Sequence, residues 1–325
     1  MRLFFLTLLL GVGYLGTLSA QRTRLFDTDP PAQTPKLFAP GFVSGPFLER
    51  DLAISTAGDE LYFSTQSLSG DLSVILVSRN VKGTWTAPEV ASFSGKYHDI
   101  EPFLSADGRR LYFSSNRPKH PDSTAEGDYD IWYTDRNGTA WQAPRRLEGP
   151  VNTEKDEFYP SLSRNGTLYF TANYAGGTGG EDIYQSRWEG GQFQKPEVLP
   201  EAVNSKGHEF NAFVDPQERF LLFTAYGRKE GLGRGDLYVS FRDAAGVWQP
   251  ARMLPEPLNS AALDYCPYVS PDGKWLFFSS KRTAKPSTPS PTHTAQSLRE
   301  RLNAPGNGLE DIFWVEASVL WQLAK

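Results

Sequence analysis

Five carboxylates recur along the chain at one relative position: Glu49, Asp99, Glu157, Glu209 and Asp264. Each stands three residues before a column that is proline in three copies, Pro102, Pro160 and Pro267. Gathered around one opening, five such groups would attract a metal ion, an amine or a basic peptide. Symmetry favours a structural reading. A group kept in every copy suits a repeated task, such as accepting backbone hydrogen bonds from a neighbouring unit, whereas a site for one asymmetric ligand should break the repeat.

The neighbouring columns do break it. Two places after the carboxylates stand Asp51, Glu101, Tyr159, Asn211 and Cys266, and directly before two of them stand His98 and His208, two of the four histidines in the chain. Carboxylates and imidazoles together can hold a divalent cation or perform acid–base work. Their spacing matches no metal-ligand motif, so no cofactor is expected, with a divalent cation as the alternative. All of these but Cys266, eleven residues, are the ligand-binding candidates, and Asp99 and Glu101 the candidates for catalysis.

The elements that must position them follow from the repeat. Aligned on "ELYFST", "RLYFSS", "TLYFTA", "FLLFTA" and "WLFFSS", the shared phenylalanines are Phe63, Phe113, Phe170, Phe223 and Phe278, at steps of 50, 57, 53 and 55 residues. Short strands at such a period signal a propeller or array. Each hairpin is followed by a polar loop and a third strand: "VILVS" in the first copy, then "DIWYT", "DIYQS", "DLYVS" and "DIFWV". The aspartates, Asp130, Asp182, Asp236 and Asp311, stand where a loop becomes a strand, where aspartate caps a turn. A fourth segment carries an aromatic and a proline, as in "WQAPRRL", "FQKPEVL" and "WQPARML". The fifth copy lacks it, and residues 36–44, "KLFAPGFVS", have its character. The fold expected is all-β: a single β-propeller of five four-stranded blades over residues 36–316, closed by an N-terminal strand, with a sixth blade as the alternative.

The combined motif "NTEKDEFYPSLSRNGTLYF", "GGTGGEDIY" and "FQKPEVL" resembles the exported TolB-like, WD-repeat-like propellers of bacterial envelopes. That resemblance implies a non-catalytic module binding a protein, peptide or glycan of the envelope. Five-bladed propellers of the arabinanase type offer the alternative, similar in blade number: a carbohydrate-active enzyme, glycoside hydrolase or lyase, drawing its acid and base from Asp51, Asp99, Glu101 and Glu157. A peptidase lacks support, since no G-x-S-x-G or H-E-x-x-H occurs.

The flanks concern location. Residues 1–20, with Arg2 ahead of an apolar run ending at Ser19 and Ala20, have a secretory signal layout, and 21–35 read as a linker. Export to the periplasm or the exterior is expected, with no transmembrane segment after cleavage. Loss of Arg2 would take the formal charge from −5 to −6, which excludes nucleic acid as an expected partner. Cys266 is the single cysteine, so the exported chain carries no internal disulfide. Among the loops, Tyr174 and Tyr226 could stack on a sugar or peptide. The stretch 281–309 is the longest loop, Pro-rich at first, with a short helix expected around Leu298 and Leu302. The tail 317–325 is read as helical.

Overall fold

The computed structural model describes residues 26, 30–120, 122–123, 125–283 and 294–324; the signal segment lies outside them. Blade 1 comprises Leu48–Ile54, Glu60–Gln66, Ser73–Val81 and Glu89–Val90. Blade 2 comprises Asp99–Leu104, Arg110–Ser115, Asp130–Asn137 and Arg145–Arg146. Blade 3 comprises Glu157–Leu162, Leu168–Ala172, Asp182–Ser186 and Glu197–Val198. Blade 4 comprises His208–Val214, Phe220–Tyr226, Asp236–Phe241 and Arg252–Met253. Blade 5 takes Asp264–Val269, Trp275–Ser280 and Asp311–Glu316, and its outer strand is Lys36–Leu37. All pairings within the blades are antiparallel, and the first strands of successive blades touch all the way round, blade 5 against blade 1. The protein is a five-bladed β-propeller.

The closing strand is shorter than the 36–44 expected. Lys36 pairs with Trp314 and Leu37 with Phe313, and Phe38 N–H donates to the Ile312 carbonyl at 2.8 Å. The chain then turns at Ala39, whose φ is 44°, with Phe42 and Val43 N–H both donating to its carbonyl. Phe38 is fully buried, its ring 4.9 Å from Phe277 and 5.4 Å from Trp314.

The second strands read as apolar runs because each blade is covered on both faces by its neighbours. Phe63, Phe113, Phe170, Phe223 and Phe278 are all at most 1% exposed. In blade 1 the aspartate column is filled by Val74, which pairs with Thr65 as Asp182 pairs with Ala172 in blade 3. The other aspartates mostly cap as expected. Asp182 accepts Thr178 N–H and Gly179 N–H, Asp236 accepts Leu232 N–H and Gly233 N–H, and Asp311 accepts Gly306 N–H. Asp130 differs, forming a forked pair with Arg146, both contacts 2.7 Å.

Helix α1, Ala295–Leu302, lies in the long loop and starts with a Thr294–Ser297 capping box. Helix α2, Ser318–Leu323, follows the last strand and buries Val319 and Leu320. Among the described residues no helix is long and apolar enough to cross a membrane.

Candidate functional site

The five collar carboxylates are at most 4% exposed, and their oxygens are engaged. Each accepts from the connection arriving from the previous blade: Glu49 from Gly45 N–H, Asp99 from the Ser94 hydroxyl, Glu157 from Thr153 N–H and Oγ1–H, Glu209 from Ser205 N–H and Oγ–H, Asp264 from Ser260 N–H and Oγ–H. In three blades an arginine completes the pair. Arg117 reaches Asp99 at 2.6 Å, Arg228 reaches Glu209 at 2.9 Å and Arg282 reaches Asp264 at 2.6 Å. Each guanidinium also lies over its blade's repeat phenylalanine, 5.0 Å from Phe113, 5.5 Å from Phe223 and 5.0 Å from Phe278.

Among the described residues blades 1 and 3 have no such arginine, and burial pushes the carboxyls of Glu49 and Glu157 up to about 7. Tyr174 takes the arginine's place in blade 3, packed 4.7 Å from Tyr184 with its hydroxyl donating to the Val151 carbonyl. It belongs to the core of that blade, unlike Tyr226, which is half exposed.

The asymmetric column owes its direction to the backbone. Every first strand carries a bulge at the same place, between Arg50 and Ala53, Ile100 and Phe103, Phe158 and Ser161, Phe210 and Phe213, and Tyr265 and Tyr268. At it Asp51, Glu101, Tyr159, Asn211 and Cys266 hold φ of 61°, 61°, 52°, 52° and 52°. This left-handed conformation costs each about 1 kcal/mol or more. It sends their side chains to the axis, where contacts join blades that are not neighbours. Asn211 Nδ2 of blade 4 donates to Glu101 of blade 2 at 3.1 Å, and the Tyr159 hydroxyl of blade 3 donates to the Pro267 carbonyl of blade 5 at 3.0 Å.

Arg50 ties the group together, donating to Asp51 at 2.9 Å and Glu101 at 2.8 Å, within 3.5 Å of Cys266 Sγ and 5.0 Å from the Tyr265 ring centre. Glu101 also accepts Tyr159 N–H at 2.7 Å. Burial outweighs the Arg50 charge and pushes the Glu101 carboxyl up to about 7; burial likewise raises the Cys266 thiol. These groups plug the channel.

Above the plug a cavity of about 520 Å³ opens on the loop face. Its floor and walls include Glu101 and Asn211 of the plug and Arg50, Ile100, Phe158, Phe210 and Tyr265, one residue from each blade. Those five directly follow the collar carboxylates, a column sequence reasoning passed over because strict strand alternation points it away from Asp51 and its equivalents. The bulge removes that alternation. Its apolar and aromatic composition was the available signal. The rim adds Glu181, His208, Tyr226, Arg234 and Glu310.

Of the predicted site residues, Glu101, Asn211 and His208 line this cavity, while Asp51, Tyr159 and Cys266 lie in the plug beneath. Glu49, Asp99, Glu157, Glu209 and Asp264 are braces in the walls between blades. The two histidines are not joined. His98 contacts the Asp71 carbonyl at 3.2 Å and Tyr129 Oη at 3.4 Å, while His208 Nδ1 sits 3.5 Å from Glu181 Oε2. Among the described residues no three His, Cys, Asp or Glu side chains gather as a metal site. A second opening of about 490 Å³ lies at the other end of the axis, among the hairpin turns and α2, lined by Phe103, Phe213, Tyr268 and Trp321.

No family model matches the chain, and no curated protein does. Among solved structures it is similar to TolB from Acinetobacter baumannii, at 14% identity and TM-score 0.47 over 83% of this chain and 57% of that one. A TolB candidate from Agrobacterium tumefaciens matches at 15% identity and TM-score 0.49, covering 83% of this chain and 91% of that one. A thermostable family-43 glycoside hydrolase matches at 13% identity and TM-score 0.48, covering 77% and 89%. TolB, whose propeller motif the repeats resemble, is thus among the structures this chain is similar to, and the similarity is one of fold.

Proposed function

We propose that this chain is an exported, non-catalytic binding propeller that takes a glycan or peptide of the cell envelope into the loop-face cavity. The carrying observation is the cavity itself: a blind hollow of about 520 Å³ with aromatic walls and a few polar groups, closed below by the Arg50–Glu101 network. Such composition suits recognition of a chain end or branch. The acid–base candidates are poorly placed for turnover. Asp99 is fully buried and held by Arg117 and Ser115, and Glu101 spends its oxygens on Arg50, Asn211 and Tyr159.

The test is a glycan and peptide array probed with the native protein and with Tyr226→Ala, a half-exposed position whose loss should leave the melting temperature unchanged. Hits that weaken about tenfold in the variant support the cavity as the site. Hits that bind both proteins equally place recognition elsewhere, and cleavage of a hit would turn the reading to the glycoside hydrolase alternative.

A further inference from the structure

Of the charged side chains lining the cavity, all but one have a neighbour of potentially opposite charge among the described residues. Arg50 is paired with Asp51 and Glu101, Glu310 with Lys281 at 3.1 Å, and Glu181 with His208 at 3.5 Å. Arg234, exposed on the rim between blades 4 and 5, has no side-chain partner among the described residues; only its backbone N–H is used, donating to the Ala262 carbonyl. An incoming cation would meet Glu310 already paired with Lys281 and Glu181 already in contact with the His208 ring. An incoming anion displaces nothing and gains a guanidinium whose planar fork fits a carboxylate with two parallel hydrogen bonds.

The walls say what carries the carboxylate. Tyr226 is 50% exposed, and the partly buried rings of Phe158 and Phe210 stand in the same lining. A sugar ring has a flat face of C–H bonds that lies on the electron-rich face of an aromatic ring, while its hydroxyls remain free for polar neighbours. Two buried polar atoms of lining residues, the Tyr265 hydroxyl and Glu310 Oε2, have no hydrogen-bond partner among the described residues, which native cores seldom leave. A peptide backbone has no comparable flat apolar face.

Resting on the binding function proposed above, we infer that the cavity recognises an acidic sugar, a uronic acid at a glycan end or branch, whose carboxylate is read by Arg234. Arg234 is then the residue that sets specificity for charge.

The experiment compares tetragalacturonic acid, its methyl ester and a neutral galactotetraose by calorimetric titration, with a tetrapeptide bearing a free C-terminal carboxylate as a fourth probe, against the native chain, Arg234→Gln and Arg234→Lys. The acid should bind about tenfold or more tighter than its ester, because a charge-assisted bond is replaced by a neutral contact. Arg234→Gln should abolish that preference with an unchanged melting temperature, Arg234→Lys should keep part of it, and added salt should weaken it. Equal binding of acid and ester, or a preference surviving in Arg234→Gln, overturns the inference while leaving a sugar-binding propeller standing. Binding of the peptide in place of the galacturonate also overturns it, and failure of all four probes together with array hits indifferent to Tyr226→Ala removes the binding site as well.

Discussion

Arginine partners divide the collar carboxylates into two kinds, and the difference is measurable by pH. Glu157 is buried, with neighbouring donors but no ion pair among the described residues, so its folded pKa is raised from 4.5 to about 7. Below pH 4.5 it is protonated in both the folded and the unfolded chain, and its contribution to stability is fully present. Between there and pH 7 the unfolded chain ionises first, so stability falls as pH rises, and above pH 7 the loss is constant. Native protein should therefore lose on the order of 2 to 3 kcal/mol from this group between pH 5 and pH 8. Glu157→Gln removes that component, so its stability relative to the native protein should rise by that amount over the same interval in urea unfolding. A difference that stays flat with pH would show that Glu157 is ionised in the folded state.

Ring closure depends on an element of two residues. Lys36–Leu37 supplies few hydrogen bonds, and its hold comes from Phe38, which sits fully buried against Phe277 and Trp314. Removing a buried aromatic costs its transfer free energy and leaves a cavity, so Phe38→Ala should lower stability by about 3 to 5 kcal/mol. By contrast Lys36→Ala, with its side chain only partly buried, should change it by less than about 1 kcal/mol. If denaturant midpoints show the two variants alike, the ring is not closed through this segment.

Across the whole molecule the axis couples the blades. Arg50 bridges blades 1, 2 and 5, and Glu101 bridges blades 1, 2, 3 and 4, so no blade leaves the ring without breaking a buried polar contact. Removing Arg50 strands Asp51 and Glu101 in a dry site, and Arg50→Ala should cost about 3 to 5 kcal/mol. Scanning calorimetry should show one transition for the native protein and one, at lower temperature, for the variant. Two resolved transitions in the native protein would mean that the blades unfold independently.

The repeat, the five blades and the borrowed outer strand were legible in the sequence, because each arises from local patterning: alternation within a hairpin, a turn, an aspartate at a loop end, a missing segment at one end of the chain and a spare one at the other. The collar acids and the column two places after them were legible as symmetric and asymmetric. What each does was not. A bulge with a left-handed residue shifts side chains by one position, and no rule of strand alternation anticipates a left-handed Asp51 or Tyr159. The repeat placed Asp99 and Glu101 two residues apart, both as candidates for catalysis. The bulge sends Glu101 to the axis and leaves Asp99 braced between blades with Arg117. Arg50, the centre of the plug, and Arg234, the unmatched charge on the rim, carried no motif, since their roles depend on partners 51 and 216 residues away in Arg50's case. Local propensity determines the blades; only the closed ring decides which charges meet inside it, and so which one is left without a side-chain partner among the described residues.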